Sequence, residues 1–152
     1  DFSKTMDMST KIEKNNLCLN EILEETLTNY YILFKENNIE PNINITDKQI
    51  YKMVDRNAII RIFENILSNV IKYSNGEFNV TLNEKGEIIF SNKSTMLDAT
   101  TVQKIFNRYF TVEDAKESTG LGLSIAKQLV ELNSGNIYAK YINGKLIIKI
   151  IL

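Results

Sequence analysis

The sequence predicts an α+β domain in two layers, a mixed and mostly antiparallel sheet covered on one face by about three helices. Three observations carry this. Segments with apolar residues at helical spacing alternate along the chain with shorter segments of period two. Two of the short segments flank the turn NEKG and two flank Asn143-Gly144, both of hairpin-turn composition. The 152 residues, 43% hydrophobic and 24% charged, suit a single domain with its own core.

Residues 1–18, DFSKTMDMSTKIEKNNLC, are polar and weakly periodic, and read as a linker or the end of a preceding helix. Asn20 is the expected cap of a first helix carrying Ile22, Leu23, Thr26, Leu27, Tyr30, Tyr31, Leu33 and Phe34, closed by Asn37 and Asn38. After Pro41, Ile43 and Ile45 alternate as a strand, a turn follows near Asp47, and YKMV (51–54) is extended. Asp55 is a good N-cap for a long helix from Arg56 to Tyr73, which Asn75-Gly76 ends. FNVTL (78–82) and EIIF (87–90) form a hairpin. Residues 91–117 show little regular pattern beyond a short helix around TVQKIFNRYF. An irregular segment of that length is a lid over a ligand or is disordered. A further helix runs from Leu121 to Leu132 with Ser134-Gly135 at its C-cap, and NIYAKYI and KLIIKIIL close the chain as a second hairpin.

Composition excludes several chemistries. A net charge of −1 gives no general attraction to nucleic acid or anionic membrane, so any bound phosphate is held by local geometry. Cys18 is the one cysteine, which rules out an internal disulfide or a cysteine metal cluster and suits a reducing compartment. Apolar runs such as LIIKIIL (146–152) are far too short to span a bilayer. The chain has no histidine, so it cannot build a Ser-His-Asp triad, a Cys-His pair or a histidine metal site. Any histidine in its chemistry comes from a partner. Because the chain begins at Asp1 and not at Met, it is expected to be a piece of a longer protein.

Two stretches carry more polar patterning than a fold alone demands. In IIRIFENILSNVIKYS (59–74), Asn65, Asn69, Lys72 and Tyr73 fall within an arc of about 100° on the helix. Ile59, Ile60, Phe63, Ile66, Leu67, Val70 and Ile71 form the neighbouring stripe expected to face the core, and Ile62 projects into the polar arc. Asparagine is a poor residue for a helix interior, because its amide competes for backbone hydrogen bonds. Its amide oxygen suits Mg²⁺, a lysine suits phosphate, and a tyrosine can stack on a purine. A solvated face in an Asn-rich protein would show the same residues. In STGLGLSIAK (118–127), Gly120 and Gly122 precede a helix whose first N–H groups and positive dipole end attract anions. Glycines there equally punctuate an ordinary helix start.

Together, NILSNVIKYS and, about forty-five residues later, STGLGLSIAKQLVELNSG resemble the N box and G2 box of the catalytic ATP-binding domain of bacterial sensor histidine kinases. IFNRYF (105–110) resembles the F box between them. This Bergerat-fold group also includes gyrase, Hsp90 and MutL-type ATPases. The resemblance implies a Bergerat fold with an ATP lid, spanning residues 19–152, and ATP and Mg²⁺ as ligands. It makes Asn69 the Mg²⁺ ligand with Asn65 beside it near the phosphates, Lys72 a phosphate contact and Tyr73 a neighbour of the adenine. Gly120, Leu121, Gly122 and Leu123, with Thr119 ahead of them, would present backbone N–H groups to the phosphates. Phe106 and Phe110 anchor the lid or serve as plain core anchors, and Arg108 is a further lid candidate. Lys116 reaches the phosphate or is a solvated lid residue.

In the gyrase and Hsp90 branch, a glutamate four residues before the Mg²⁺ asparagine activates the attacking group. Here that residue is Asn65, which cannot act as a base, and Glu64 points about 100° away on the helix. The resemblance therefore implies poor hydrolysis. The γ-phosphate would go to a histidine on a separate dimerisation domain of the same sensor kinase, for relay to a response regulator. It further implies a cytoplasmic domain of a membrane-anchored kinase, homodimeric only at full length, with no nucleic-acid partner. The family's G1 box, D-x-G-x-G, has no match. SNKSTML (91–97) stands there, with Asn92 for the aspartate (or Ser91 in a register shifted by one) and Ser94 and Met96 for the glycines. Thr111 stands where many such kinases carry an arginine. The alternative is a degenerate nucleotide-binding module that acts by protein contacts without phosphotransfer.

Overall fold

The computed structural model describes residues 12–94, 98, 100–107 and 122–152. In chain order its elements are β1 (Asn15–Cys18), α1 (Leu19–Asn29), α2 (Tyr31–Glu36), β2 (Glu40–Ile45), β3 (Tyr51–Val54), α3 (Arg56–Tyr73), β4 (Glu77–Leu82) and β5 (Glu87–Lys93). A 3-10 turn (Thr101–Lys104), α4 (Gly122–Leu132), β6 (Asn136–Ile142) and β7 (Lys145–Ile151) follow. Five strands form one sheet in the order β2-β4-β5-β7-β6, with β2 parallel to β4 and the other pairs antiparallel. β1 and β3 make a separate antiparallel pair.

Period-two patterning builds the two layers. Phe78, Val80 and Leu82 on β4, Ile88, Phe90 and Asn92 on β5, and Leu146, Ile148 and Ile150 on β7 are buried, and their alternate neighbours are more exposed. One face of the sheet therefore receives the helices. Phe63 of α3 lies 6.0 Å from Phe90, Phe90 stacks on Phe78 at 6.5 Å, and Phe78 meets Phe34 of α2 at 5.6 Å. These tilted and stacked rings tie the layers together with large apolar area. The mixed, two-layer α+β architecture expected from the sequence is the one observed.

Capping sets the helix directions. Asp55 Oδ1 accepts from the Ala58 N–H at 3.0 Å, which satisfies an open donor at the start of α3. Its Oδ2 accepts from the Glu13 N–H at 2.7 Å. The Asp55 N–H in turn donates to Asn133 Oδ1 at 2.9 Å, and Asn133 directly follows α4. The start of α3 thus sits at the end of α4. The two helices also pack against each other along their length.

Several elements differ from the sequence reading. Ile62 does share the side of the helix that carries Asn65 and Asn69, but it is fully buried there, and Ile60 and Ile71 lie at the margin of the core instead. The reason is that α4 covers a flank of α3 which periodicity alone left open. The first helix breaks at Tyr30 into α1 and α2, where ψ is −1° and the tyrosine hydroxyl sits 3.3 Å from Ser68 Oγ on α3. Asn20 does not cap. It lies inside α1, buried, where Nδ2 donates to the Thr46 and Lys48 carbonyls and Oδ1 accepts from the Ile50 N–H at 2.9 Å. That amide holds the connection between β2 and β3. Asn15–Cys18, within the stretch read as a linker, is a strand because β3 offers it a partner. β5 runs on to Lys93, and the short helix around TVQKIFNRYF is a 3-10 turn of four residues. Asp98 Oδ1 accepts from the Thr100 and Thr101 N–H groups to begin that turn. The Thr101 backbone N–H and hydroxyl hold the Asp98 carboxyl below its ordinary range.

Candidate functional site

The flank of α3 that meets α4 changes character along its length. At about 100° per residue, Ala58, Ile62, Asn65, Asn69 and Tyr73 share one side of the helix. Ala58 and Ile62 are fully buried, whereas Asn65, Asn69 and Tyr73 are half-buried. The apolar half packs under the body of α4. The asparagines lie in the C-terminal half of α3, and α4, which packs on α3, starts at Gly122. Lys72 occupies the last turn of α3 and is exposed.

One polar group here is unsatisfied and one position is open. Asn65 Nδ2 is buried with no hydrogen-bond partner, an arrangement that costs about 1–3 kcal/mol unless something else fills it. A Cβ on Gly122 would meet nothing within 4 Å, so no packing demand of the described fold requires glycine there. The amide of Asn69 makes no hydrogen bond with another described residue and offers a hard oxygen ligand. Leu123, one residue on, turns its side chain into the core and leaves only its backbone N–H for a ligand.

The end of β5 meets the chain that leaves α3. The Asn75 N–H donates to the Lys93 carbonyl at 2.8 Å, which ties the chain leaving α3 to the end of β5. Asn92 is buried there at 4% exposure, and its Nδ2 donates to the same Lys93 carbonyl at 3.2 Å. Ser94 continues the inward alternation at 0% exposure. No carboxylate is buried at this end among the described residues. Glu77, on the outer side, is held below the ordinary carboxylate range chiefly by Lys145, whose Nζ lies 3.2 Å from Oε1, with a weaker pull from Lys93.

Asn65, Asn69, Lys72 and Tyr73 thus lie along α3, Gly122 and Leu123 begin α4, which packs on α3, and Asn92 is buried near the end of β5. Phe106 stands apart on the segment after the 3-10 turn, half-buried, with Lys127 Nζ of α4 6.0 Å from its ring centre. Met96, Arg108, Phe110, Lys116, Thr119, Gly120 and Leu121, and also Thr111, lie outside the described residues. Sequence reasoning named Ser94 only as a replaced glycine. Its inward register on β5 was the signal available, and its burial was not. Among the described residues no group of three or more His, Cys, Asp or Glu side chains could hold a metal ion.

A family model described as histidine kinase-, DNA gyrase B-, and HSP90-like ATPase matches residues 54–148. Sensor histidine kinase WalK of Bacillus subtilis (strain 168) is 33% identical over 122 residues, covering 73% of this chain and 20% of the relative. Sensor protein kinase WalK of Staphylococcus epidermidis is 27% identical, covering 95% of this chain and 25% of the relative. The chain thus spans a fifth to a quarter of the length of these curated relatives. The solved catalytic domain of histidine kinase ThkA superposes with a TM-score of 0.78 at 23% identity, covering 91% of this chain and 93% of that one. The mycobacterial sensor histidine kinase MprB superposes with a TM-score of 0.77 at 21% identity, covering 91% and 96%. At those identities the likeness establishes the fold, that of histidine kinase catalytic domains. No helix among the described residues is long and apolar enough to cross a membrane.

Proposed function

Because the chain belongs to the family of histidine kinase-, DNA gyrase B- and HSP90-like ATPases, we propose that it holds Mg-ATP in the cleft between α3 and α4 and donates the γ-phosphate to a histidine on another domain. One observation carries this reading: α3 carries a buried and unpaired Asn65 Nδ2, and α4, packed on it, starts at Gly122, where among the described residues nothing lies within 4 Å of an added Cβ. Asn69 would hold the Mg²⁺ through its amide oxygen, and phosphate oxygens and water would complete the shell. Bound there, the ion neutralises charge on the phosphates. Asn65 Nδ2 would donate to a phosphate oxygen, and the first N–H groups of α4, from Gly122 and Leu123, would meet the same oxygens. Lys72 adds a mobile positive charge, and Tyr73 and Asn92 flank the base. Gly120, Leu121 and Thr119 continue the loop on this reading, with Lys116, Arg108, Phe106, Phe110 and Met96 around it.

Transfer is favoured over hydrolysis because nothing on this flank activates water. Asn65 has no basic form, and Glu64 projects away from the cleft by about 100°. The acceptor must be imported, since the chain has no histidine. The relatives named sensor kinases support a dimerisation domain bearing that histidine, a response regulator downstream and a membrane anchor elsewhere in a longer protein. A module that binds nucleotide and signals without transfer is the second reading, favoured by SNKSTML, where side chains occupy the expected glycine positions.

Calorimetric titration with a non-hydrolysable ATP analogue tests the site. The chain is expected to bind one equivalent, with affinity that depends on Mg²⁺. Gly122→Ala is expected to keep its melting temperature, because open space awaits the new methyl, yet to weaken binding at least about tenfold by intruding on the phosphates. Full affinity in Gly122→Ala, or no binding by the parent chain, would remove the phosphate loop from this position.

A further inference from the structure

β2 pairs with β4 on one side, and among the described residues no strand pairs with its other edge. Just beyond β2, the Thr46 N–H donates to the Leu82 carbonyl of β4 at 2.9 Å. Main-chain groups alternate in direction along a strand, so Asn44 and Asn42 also address β4. Ile45, Ile43 and the Pro41 carbonyl then address the free edge. Proline is accommodated at Pro41 because no N–H to β4 is needed there. Free edges are ordinarily blunted by charge, yet no residue from Pro41 to Thr46 is charged.

A groove of about 350 Å³ lies beside this edge, with Leu27 and Tyr31 on its helix wall and Pro41, Ile43 and Ile45 on its strand wall. The three strand residues are in register with the buried Phe78, Val80 and Leu82 of β4, yet Ile43 is 47% exposed. Tyr31, Ile32 and Leu33 of α2 are exposed as well. Half of the large apolar side chains exposed among the described residues therefore lie on α2 and β2, a concentration that marks a contact surface. The two ends of the groove differ in charge. Asn20, at the start of α1, binds the Thr46 and Lys48 carbonyls, so α1 runs against β2 and Glu24 lines the groove at its Ile45 end. At the Pro41 end, Lys35 Nζ stands 5.8 Å from the centre of the Tyr31 ring. Glu40 shares that end but lies on the outer face of the sheet, in register with Glu77.

A surface acidic at one end, basic at the other and apolar between is complementary to its own reversed copy. We propose that β2 is a self-pairing edge, through which two copies of this chain join antiparallel about a two-fold axis at Ile43 and merge their five-stranded sheets. The two Ile43 residues then exchange both main-chain bonds, and each Ile45 N–H meets the Pro41 carbonyl of the second copy. The missing N–H of Pro41 leaves only the Ile45 carbonyl without a bond. Asn42 stands opposite Asn44 of the second copy, and no like charges face each other within the paired strands. The two grooves become one, with Glu24 of each copy beside Lys35 of the other. This pairing is independent of the nucleotide reading.

Sedimentation equilibrium over a concentration series tests it. The chain is expected to dimerise with a dissociation constant on the order of 100 µM, as suits a strand of 6 residues and a small interface. A chain that stays monomeric at about 1 mM leaves the edge to some other partner and overturns the proposal. Ile43→Lys sets two like charges on the axis at an exposed position. It is expected to weaken the dimer at least about tenfold and to melt with the parent at dilutions where both are monomeric. Glu24→Lys and Lys35→Glu are each expected to weaken the dimer at least about threefold, and the double variant to restore it. A double variant no tighter than either single one overturns the pairing. Cysteine substitution reads the register, since native Cys18 is buried. Ile43→Cys is expected to form a disulfide-linked dimer on mild oxidation, the Cα atoms of such a pair lying about 5.5 Å apart. Asn44→Cys is expected to form none, because its two copies lie diagonally about 7–8 Å apart. Cross-linking at Asn44→Cys alone, or at neither position, overturns the proposal.

Discussion

Replacing Asn69 by alanine is expected to lower the affinity for Mg-nucleotide by on the order of 100-fold while leaving the fold intact. The fold is spared because Asn69 is half-buried and makes no hydrogen bond to a described residue, and alanine is the better helix former at that point in α3. Binding suffers because no cluster of acidic side chains stands ready among the described residues to replace the lost amide oxygen. The effect should be confined to the metal-dependent part. In EDTA, the parent and Asn69→Ala are expected to bind ATP within about threefold of each other, because the amide then holds no ion. Titration of both proteins with and without Mg²⁺ checks this. A loss of equal size in EDTA would assign Asn69 to phosphate or base, not to metal.

The second large effect falls on stability and lies far from the cleft. Gly135→Ala is expected to destabilise the protein by about 3 kcal/mol, and to lower its melting temperature by roughly 6–12 °C. Gly135 closes the turn after α4, where its N–H donates to the Val130 carbonyl at 2.9 Å. A Cβ there would stand 2.5 Å from the Ile151 carbonyl oxygen and 3.1 Å from Val130 Cγ1. The side chain could yield, but the carbonyl belongs to β7 at the point where Asn136 pairs with Ile151. It cannot retreat without disturbing the pairing of β6 with β7. The demand for glycine here is steric. At Ser134, one residue earlier, the chain does turn through a positive φ of 63°, and a side chain is accommodated. Thermal unfolding followed by circular dichroism measures the shift, and a change below about 2 °C would mean that the strand end yields freely.

Much of the fold was legible because local signals and tertiary packing agreed. Asp55 is a cap by chemistry and is one in the structure, and the alternation in FNVTL, EIIF and KLIIKII is the burial pattern of the sheet. The misreadings share a cause. Ile62 looked misplaced because periodicity describes one helix at a time, and the second covering surface, α4, lies more than fifty residues further along the chain. Asn20 looked like a cap because asparagine favours helix starts. Its buried amide instead binds a loop nearly thirty residues downstream, a contact that no local rule encodes.

The site divides along the same line. Asn65, Asn69, Lys72 and Tyr73 share one helix, so their common face followed from spacing alone, and Gly122 followed from its place at a helix start. Joining the two required the packing of α4 on α3, a packing the Asp55–Asn133 hydrogen bond ties at one end. The end of β5 was the least legible. In the sequence, SNKSTML reads as an asparagine for the aspartate and side chains for the glycines, whereas the structure adds that Asn92 and Ser94 are buried and that the Ser94 hydroxyl has no partner.

The most direct test of phosphoryl donation is to incubate the chain with Mg-ATP labelled at the γ-phosphate, alone and with a dimerisation domain that carries an accessible histidine. Alone, the chain should retain nucleotide and release little phosphate. With the acceptor present, label should appear on that domain in an acid-labile, alkali-stable form, as a phosphorus–nitrogen bond requires. Tight nucleotide binding with no label on any offered histidine would contradict donation and leave a module that senses nucleotide without passing phosphate on.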